Sequence, residues 1–218
     1  MVQAEGREAI KQSLLAKADE LFANFDSHTT VFEDAERNYV AKQTIQEDNS
    51  AVTLVRWRFE GLAEADIQRL MADPMDIGTK INSRMTMIPL ADDQGCKMFH
   101  IKMSMPLVIS NRSVVTCVYK MPDQENGTKV MFHSSQGNEA QVEALQEEIG
   151  SDVVANMILS YWKFVPIEGG YDISWLQSLD PAGMIPDFIK TKMGAKMASL
   201  PMQMFDYIQK GTIPEPIL

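Results

Sequence analysis

Basic residues are scarce in this 218-residue chain: 20 Lys and Arg stand against 30 Asp and Glu, a formal charge of −10. A surface of that sign repels phosphate. It argues against nucleic acid as a partner and against strong adsorption to anionic lipid. Cysteine is nearly absent. Cys96 and Cys117 belong to no CxxC or Cys/His cluster, which argues against a zinc site. With no secretory leader in view, the expected location is cytoplasmic, and both cysteines are expected as free thiols. Glu5, Glu8, Asp19 and Glu20 make the first residues too acidic for a transit peptide. No run approaches the ~18 apolar residues that span a bilayer.

The usual signatures of chemistry are missing too. There is no Gly-rich phosphate loop, no dinucleotide fingerprint and no GxSxG elbow. The three histidines, His28, His100 and His133, are isolated in sequence. Asp92-Asp93-Gln94-Gly95 lacks the ligand pattern of a calcium loop and reads as a hairpin turn. No catalytic residue, metal ligand or cofactor is expected, and the chain is not expected to be an enzyme.

What is plentiful is methionine, 16 in all, within a composition that is 45% hydrophobic. Met is flexible and polarisable and lines adaptable apolar cavities. A Met-rich core accounts for the count equally well. The length suits one sizeable domain.

Helical spacing of Ile10, Leu14, Leu15, Ala18, Leu21, Phe22 and Phe25 predicts a helix over 9–25. Strands are predicted over 29–32, 39–45 and 51–59. Alternation in the third puts Thr53, Val55, Trp57 and Phe59 on one face and Val52, Leu54, Arg56 and Arg58 on the other. Two short helices, 64–72 and 75–82, meet at Asp73-Pro74. Strands follow over 84–90 and 97–105, then over 113–119 and 129–135 around the Asn126-Gly127 turn. The stretch 136–149 is polar and helix-prone. A long strand over 153–168 turns at Gly169-Gly170 into another over 171–179. Last, Ile185, Phe188, Ile189, Met193, Met197, Leu200, Met204, Phe205 and Ile208 recur at spacings of three and four, a long helix with Pro201 inside it.

Two segments go further than periodicity. Asp180-Pro181-Ala182-Gly183-Met184-Ile185-Pro186 resembles the Asp-Pro-x-Gly-x-Ile-Pro junction into the last helix of the START family, the lipid-transfer domains related to steroidogenic acute regulatory protein. Pro106-Leu107-Val108-Ile109-Ser110-Asn111-Arg112 is similar to that family's Pro-x-x-x-x-x-Arg-Asp segment, with Ser113 in place of the Asp. Trp162 to Ile173, with Pro166 and Gly169-Gly170, follows its penultimate hairpin. The resemblance runs from about Asn24 to Lys210. It implies an α+β helix-grip fold, a curved antiparallel sheet wrapped around the long C-terminal helix, enclosing a lipid-sized tunnel. On this reading residues 1–25 are a helical extension packed on the domain, 26–212 the domain itself and 213–218 a tail.

The resulting expectation is a lipid-binding or lipid-transfer domain. Its partner would be one sterol, phospholipid, sphingolipid or fatty acid, with transient membrane contact. The expected cavity wall is Trp57, Met85, Met87, Phe99, Ile101 and Met103 from the sheet, with Met193, Met197, Leu200 and Met204 from the helix. Met105, Pro106, Leu107, Val108 and Ile109 are expected to form an apolar gate that touches the membrane. Arg84, His100 and Arg112 are the candidate head-group contacts, because a charge inside a cavity must be paired or meet a ligand. Two other readings compete. One is a non-catalytic interaction module whose cavity is filled by side chains and which docks a protein partner. The other is a cavity-based enzyme, which needs convergent polar groups.

Overall fold

The computed structural model describes residues 2–46, 50–92, 96–105, 109–183 and 187–211, leaving out the side chains of 2–5, 75 and 187–195. Helix α1 (Val2–Ala23) and a single 3-10 turn (Phe25–Ser27) lead into strands β1 (Thr29–Asp34), β2 (Tyr39–Ile45) and β3 (Ala51–Glu60). Helices α2 (Glu64–Ala72) and α3 (Pro74–Ile81) follow. Then come β4 (Met85–Pro89), β5 (Lys97–Met103), β6 (Arg112–Lys120) and β7 (Lys129–Ser134). Short helices α4 (Glu139–Ala144) and α5 (Gln146–Ile149) precede β8 (Val153–Val154), β9 (Asn156–Ile167) and β10 (Gly170–Asp180), and α6 (Asp187–Lys210) closes the fold.

Among the described residues the strands form one sheet in the order β1-β2-β3-β10-β9-β7-β6-β5-β4, with β8 added in parallel beside β6. Strand β10 slots into the middle, antiparallel to both β3 and β9. That insertion depends on Gly170. A Cβ there would come within 2.1 Å of the Phe59 carbonyl oxygen, so only glycine lets the hairpin enter against β3.

Both faces of the sheet are covered. On the inner face Val55, Trp57, Met131, Trp162, Phe164, Ile173 and Trp175 pack with Ala198, Met202, Met204, Phe205 and Ile208 of α6. Phe205 is the hub, with its ring 5.8–6.2 Å from those of Trp57, Phe59, Trp162 and Phe164. The outer face carries Val52, Leu54, Phe132, Leu159, Tyr161 and Leu176, buried under Leu14, Ala18 and Leu21 of α1 and Phe25. The alternation expected in β3 is present, but the Val52/Leu54 face is a second core. Only its far end, with Arg56 and Arg58, reaches water. Arg56 donates to the Phe22 carbonyl at 2.8 Å, and Arg58 pairs with Asp172 at 3.0 Å.

Helix α6 is buried beyond its predicted stripe. Ala198, Ser199, Met202 and Gln203 are also inside, because β1 and β2 curl around it. The Tyr39 hydroxyl donates to the Ala198 carbonyl, tying β2 to the helix.

Cys96 and Cys117, expected as two free thiols, stand side by side with Cα atoms 5.9 Å apart, within the span of a disulfide. The register of β5 and β6 sets Met98 opposite Cys117, which places Cys96 diagonally across from it on the same face. That proximity is a product of strand register and leaves no mark in the sequence spacing.

Candidate functional site

A cavity of about 330 Å³ lies between the inner sheet face, α3 and α6. The sheet supplies its wall because residues two apart on a strand share a face. Thus Met85 and Met87 of β4, Ile101 and Met103 of β5, and Val114 of β6 look the same way. Trp162 of β9 and Trp175 of β10 continue the surface, and Met197, Leu200 and Met204 of α6 roof it. Helix α3 closes the β4 side. Its Gly78 sits where a Cβ would stand 3.0 Å from the Met87 methyl and 3.2 Å from the Met85 methyl. Including Met157, six methionines line this one space. Flexible thioethers leave the wall able to adapt to an occupant's shape.

The cavity wall takes in most of the residues named from the sequence: Met85, Met87, Ile101, Met103, Met197, Leu200 and Met204. Trp57 stands apart from it, stacked on Phe59 at 4.2 Å and locked in the aromatic cluster around Phe205. Phe99 lines a neighbouring groove of about 520 Å³ that also holds Asp73, Asp76, Asp92, Lys97 and Lys120. The Met193 side chain and Pro106, Leu107 and Val108 of the expected gate lie outside the described residues. Met105 and Ile109, which flank them, are half-buried.

The three polar residues named as head-group contacts are elsewhere. Arg84 is exposed. His100 is buried among outer-face residues, with Nε2 3.1 Å from the Ser113 hydroxyl, which in turn donates to Asp152 at 3.0 Å. Arg112 is buried, and its guanidinium donates to the carbonyls of Pro181 (2.7 Å), Ala182 (3.1 Å) and Ser110. Those bonds tie Arg112 to the turn that precedes α6 and commit three of its five N–H donors to backbone. Burial lowers the Arg112 pKa from its usual value, without threatening its charge.

Besides Asn82 and Asp180, the polar groups that reach the cavity follow a pattern absent from the sequence expectations. Gln43, Thr53, Gln177, Ser160 and His133 all line it. They are direct cross-strand partners in turn: Gln43 with Thr53, Thr53 with Gln177, Gln177 with Ser160, Ser160 with His133. One polar rung therefore crosses β2, β3, β10, β9 and β7. The next rung is Ala41, Val55, Trp175, Trp162 and Met131, wholly apolar.

His133 ends the polar rung. Its ring is buried, and Nε2 has no hydrogen-bond partner among the described residues. Burial, helped by the charge of Lys120, pushes its pKa down from 6.5 to about 4, so the ring is neutral at pH 7. A histidine kept neutral by folding is a liability in acid. Protonation favours the unfolded chain once pH falls below 6.5, and the penalty is complete only below about 4. Urea unfolding should show about 2 kcal/mol less stability from this residue at pH 5 than at pH 7. In His133→Leu the pH dependence over that interval should shrink by the same amount. An unchanged slope would mean that the ring titrates normally.

Among the described residues no group of three or more His, Cys, Asp or Glu could hold a metal ion. No described helix is long and apolar enough to cross a membrane.

No family model matches the sequence, and no curated protein does. Solved structures do match. Human StAR-related lipid transfer protein 5 aligns over 94% of this chain and 99% of its own, with TM-score 0.70 at 10% identity. Human STARD10 aligns over 88% and 80%, with TM-score 0.61 at 16% identity. A STAR-related lipid transfer protein fragment from Xanthomonas axonopodis aligns over 84% and 97%, with TM-score 0.60 at 14% identity. The chain has the helix-grip fold of START domains, a curved antiparallel sheet closed by a long C-terminal helix.

Proposed function

We propose that this chain is a non-catalytic lipid carrier that holds one apolar lipid between the sheet and α6. The observation that carries the reading is the methionine-lined cavity of about 330 Å³ on the inner face. The mechanism is physical. A lipid leaving a bilayer exchanges one apolar surrounding for another, and the cavity shields it from water in transit. Shielding stabilises by about 25 cal/mol per Å² of apolar surface, several kcal/mol for a whole chain or ring system before ordering costs. The volume sits at the low end of the roughly 300–1,000 Å³ typical of small-ligand pockets. It suits a single sterol or a single acyl chain better than a two-chain lipid.

Native mass spectrometry of the purified protein, followed by lipid extraction, tests this directly. A mass excess matching one apolar molecule supports the carrier reading. Apo protein that takes up no lipid from vesicles rejects it.

The segment from Met105 to Ile109 is the proposed entry, on the apolar character of its sequence. Leu107→Asp together with Ile109→Asp should slow transfer between vesicles at least fivefold while leaving the melting temperature within about 3 °C. Carboxylates are costly at the bilayer interface, whereas an entry loop contributes little to the core. Unchanged transfer with unchanged stability would move the entry elsewhere.

A further inference from the structure

The inner-face cavity is mainly apolar: its polar lining is the rung from Gln43 to His133 on the sheet, with Asn82 and Asp180 at other positions, and the chemistry of these groups limits what it can recognise. Two of the rung's members are visibly short of partners. His133 Nε2 has none among the described residues. Gln177 spends an amide hydrogen on the Met157 sulfur at 3.0 Å, a weak acceptor. A buried polar atom left unpaired is costly, and a native fold retains one where something else completes it. Ser160 lies directly across from His133 on the adjacent strand and lines the same space. The two together offer an imidazole nitrogen and a hydroxyl, an acceptor-and-donor pair fitted to a group that both donates and accepts.

Charge narrows the choice further. Among the described residues that line the cavity there is no Lys or Arg. The acid there, Asp180, accepts from the Ala182 backbone N–H at 2.9 Å. Arg112, the buried guanidinium behind the Pro181–Gly183 edge of the cavity, is not in the lining and spends three of its five N–H groups on backbone carbonyls. A carboxylate or phosphate drawn into this space would lose its water and meet no lining cation among the described residues. A neutral hydroxyl would lose less and gain the unpaired nitrogen.

Resting on the carrier reading, we infer that His133 and Ser160 form the polar anchor of the cavity, selecting an apolar molecule with an uncharged hydroxyl group over one of the same size with an anionic group or none. His133 Nε2 is the specificity-determining atom, and the remainder of the rung places it.

Trp162 and Trp175 line the cavity, so intrinsic fluorescence reports its occupancy. The test is titration of the full chain at pH 7 with 1-decanol, methyl decyl ether and decanoate. The alcohol should bind about tenfold tighter than either of the others, the worth of one well-placed hydrogen bond to an otherwise unpaired buried atom. In His133→Leu the alcohol should lose that advantage over the ether. His133→Gln, which keeps a polar group at the same height, should recover part of it. Equal binding of all three probes, tightest binding by decanoate, or an undiminished preference in His133→Leu overturns the anchor and leaves the carrier reading standing. Binding of none of them overturns both. The three-probe comparison on the parent protein decides even where a variant does not fold.

Discussion

Phe205→Ala should cost about 3–5 kcal/mol of folding stability, the range for truncating a fully buried aromatic ring. The ring is completely buried and meets Trp57, Phe59, Trp162 and Phe164 at near-perpendicular angles of 73–89°. Edge-to-face contacts of that kind add to what area burial alone provides. The cost should be high within that range because the four partners belong to β3 and β9 near the centre of the sheet, where collapse is difficult. The same ring fastens α6 to the sheet, so its loss should also loosen the cavity roof. Urea denaturation measures the first effect. Amide exchange along α6, faster than in the parent, measures the second. A loss under 1 kcal/mol would mean that α6 is held by other contacts, such as Tyr39 to the Ala198 carbonyl.

Met197→Trp should weaken uptake of a fluorescent lipid at least tenfold while changing stability by less than about 1 kcal/mol. Met197 is half-buried and faces the cavity from α6. An indole at that position fills space that stands ready for a ligand. In a solid core the same enlargement is overpacking, which destabilises by about 1–3 kcal/mol. Chemical denaturation of the ligand-free protein, set beside a lipid titration, separates these outcomes. Marked destabilisation, together with a parent that binds no lipid, would favour a helix-grip fold kept as an interaction module. Phe205 and Met197 lie about two turns apart on one helix. The two substitutions together ask where α6 is structural and where it serves as a lid.

Much of the architecture was legible in the chain. Alternation in β3 assigned Thr53, Val55 and Trp57 to one face, and the three-and-four spacing of Met197, Leu200, Met204 and Phe205 marked the inner side of α6. These signals are local: a strand repeats every two residues and a helix every 3.6, whatever lies across from them. The methionines of β4, β5 and α6 were also legible as a wall, since each lies on an apolar face that must be buried against something. Trp57 was misplaced because an inward direction does not say how far along the sheet the cavity runs. The aromatic cluster around Phe205 fills that end solidly. Arg112 and His100 were misplaced because a polar residue in an apolar setting signals a partner without naming it. Arg112 has three backbone carbonyls, and His100 has Ser113.

The elements, their order and the sidedness of most of them are written locally in the chain. Segments such as Asp180 to Pro186 were specific enough to indicate a sheet gripping a terminal helix. What stands beside what comes from the folded molecule. It brought Cys96 beside Cys117 through the register of β5 and β6, and it turned the Val52/Leu54 face into a second core by laying α1 across it. It also set Gln43, Thr53, Gln177, Ser160 and His133 in one row. Those five residues are scattered over five strands, and the row does not follow chain order. Each looks like an ordinary polar residue in its own segment. Pairing register is a long-range property, fixed when every strand's apolar set is buried at once, so a site built along a rung across the sheet has no counterpart in any stretch of the chain.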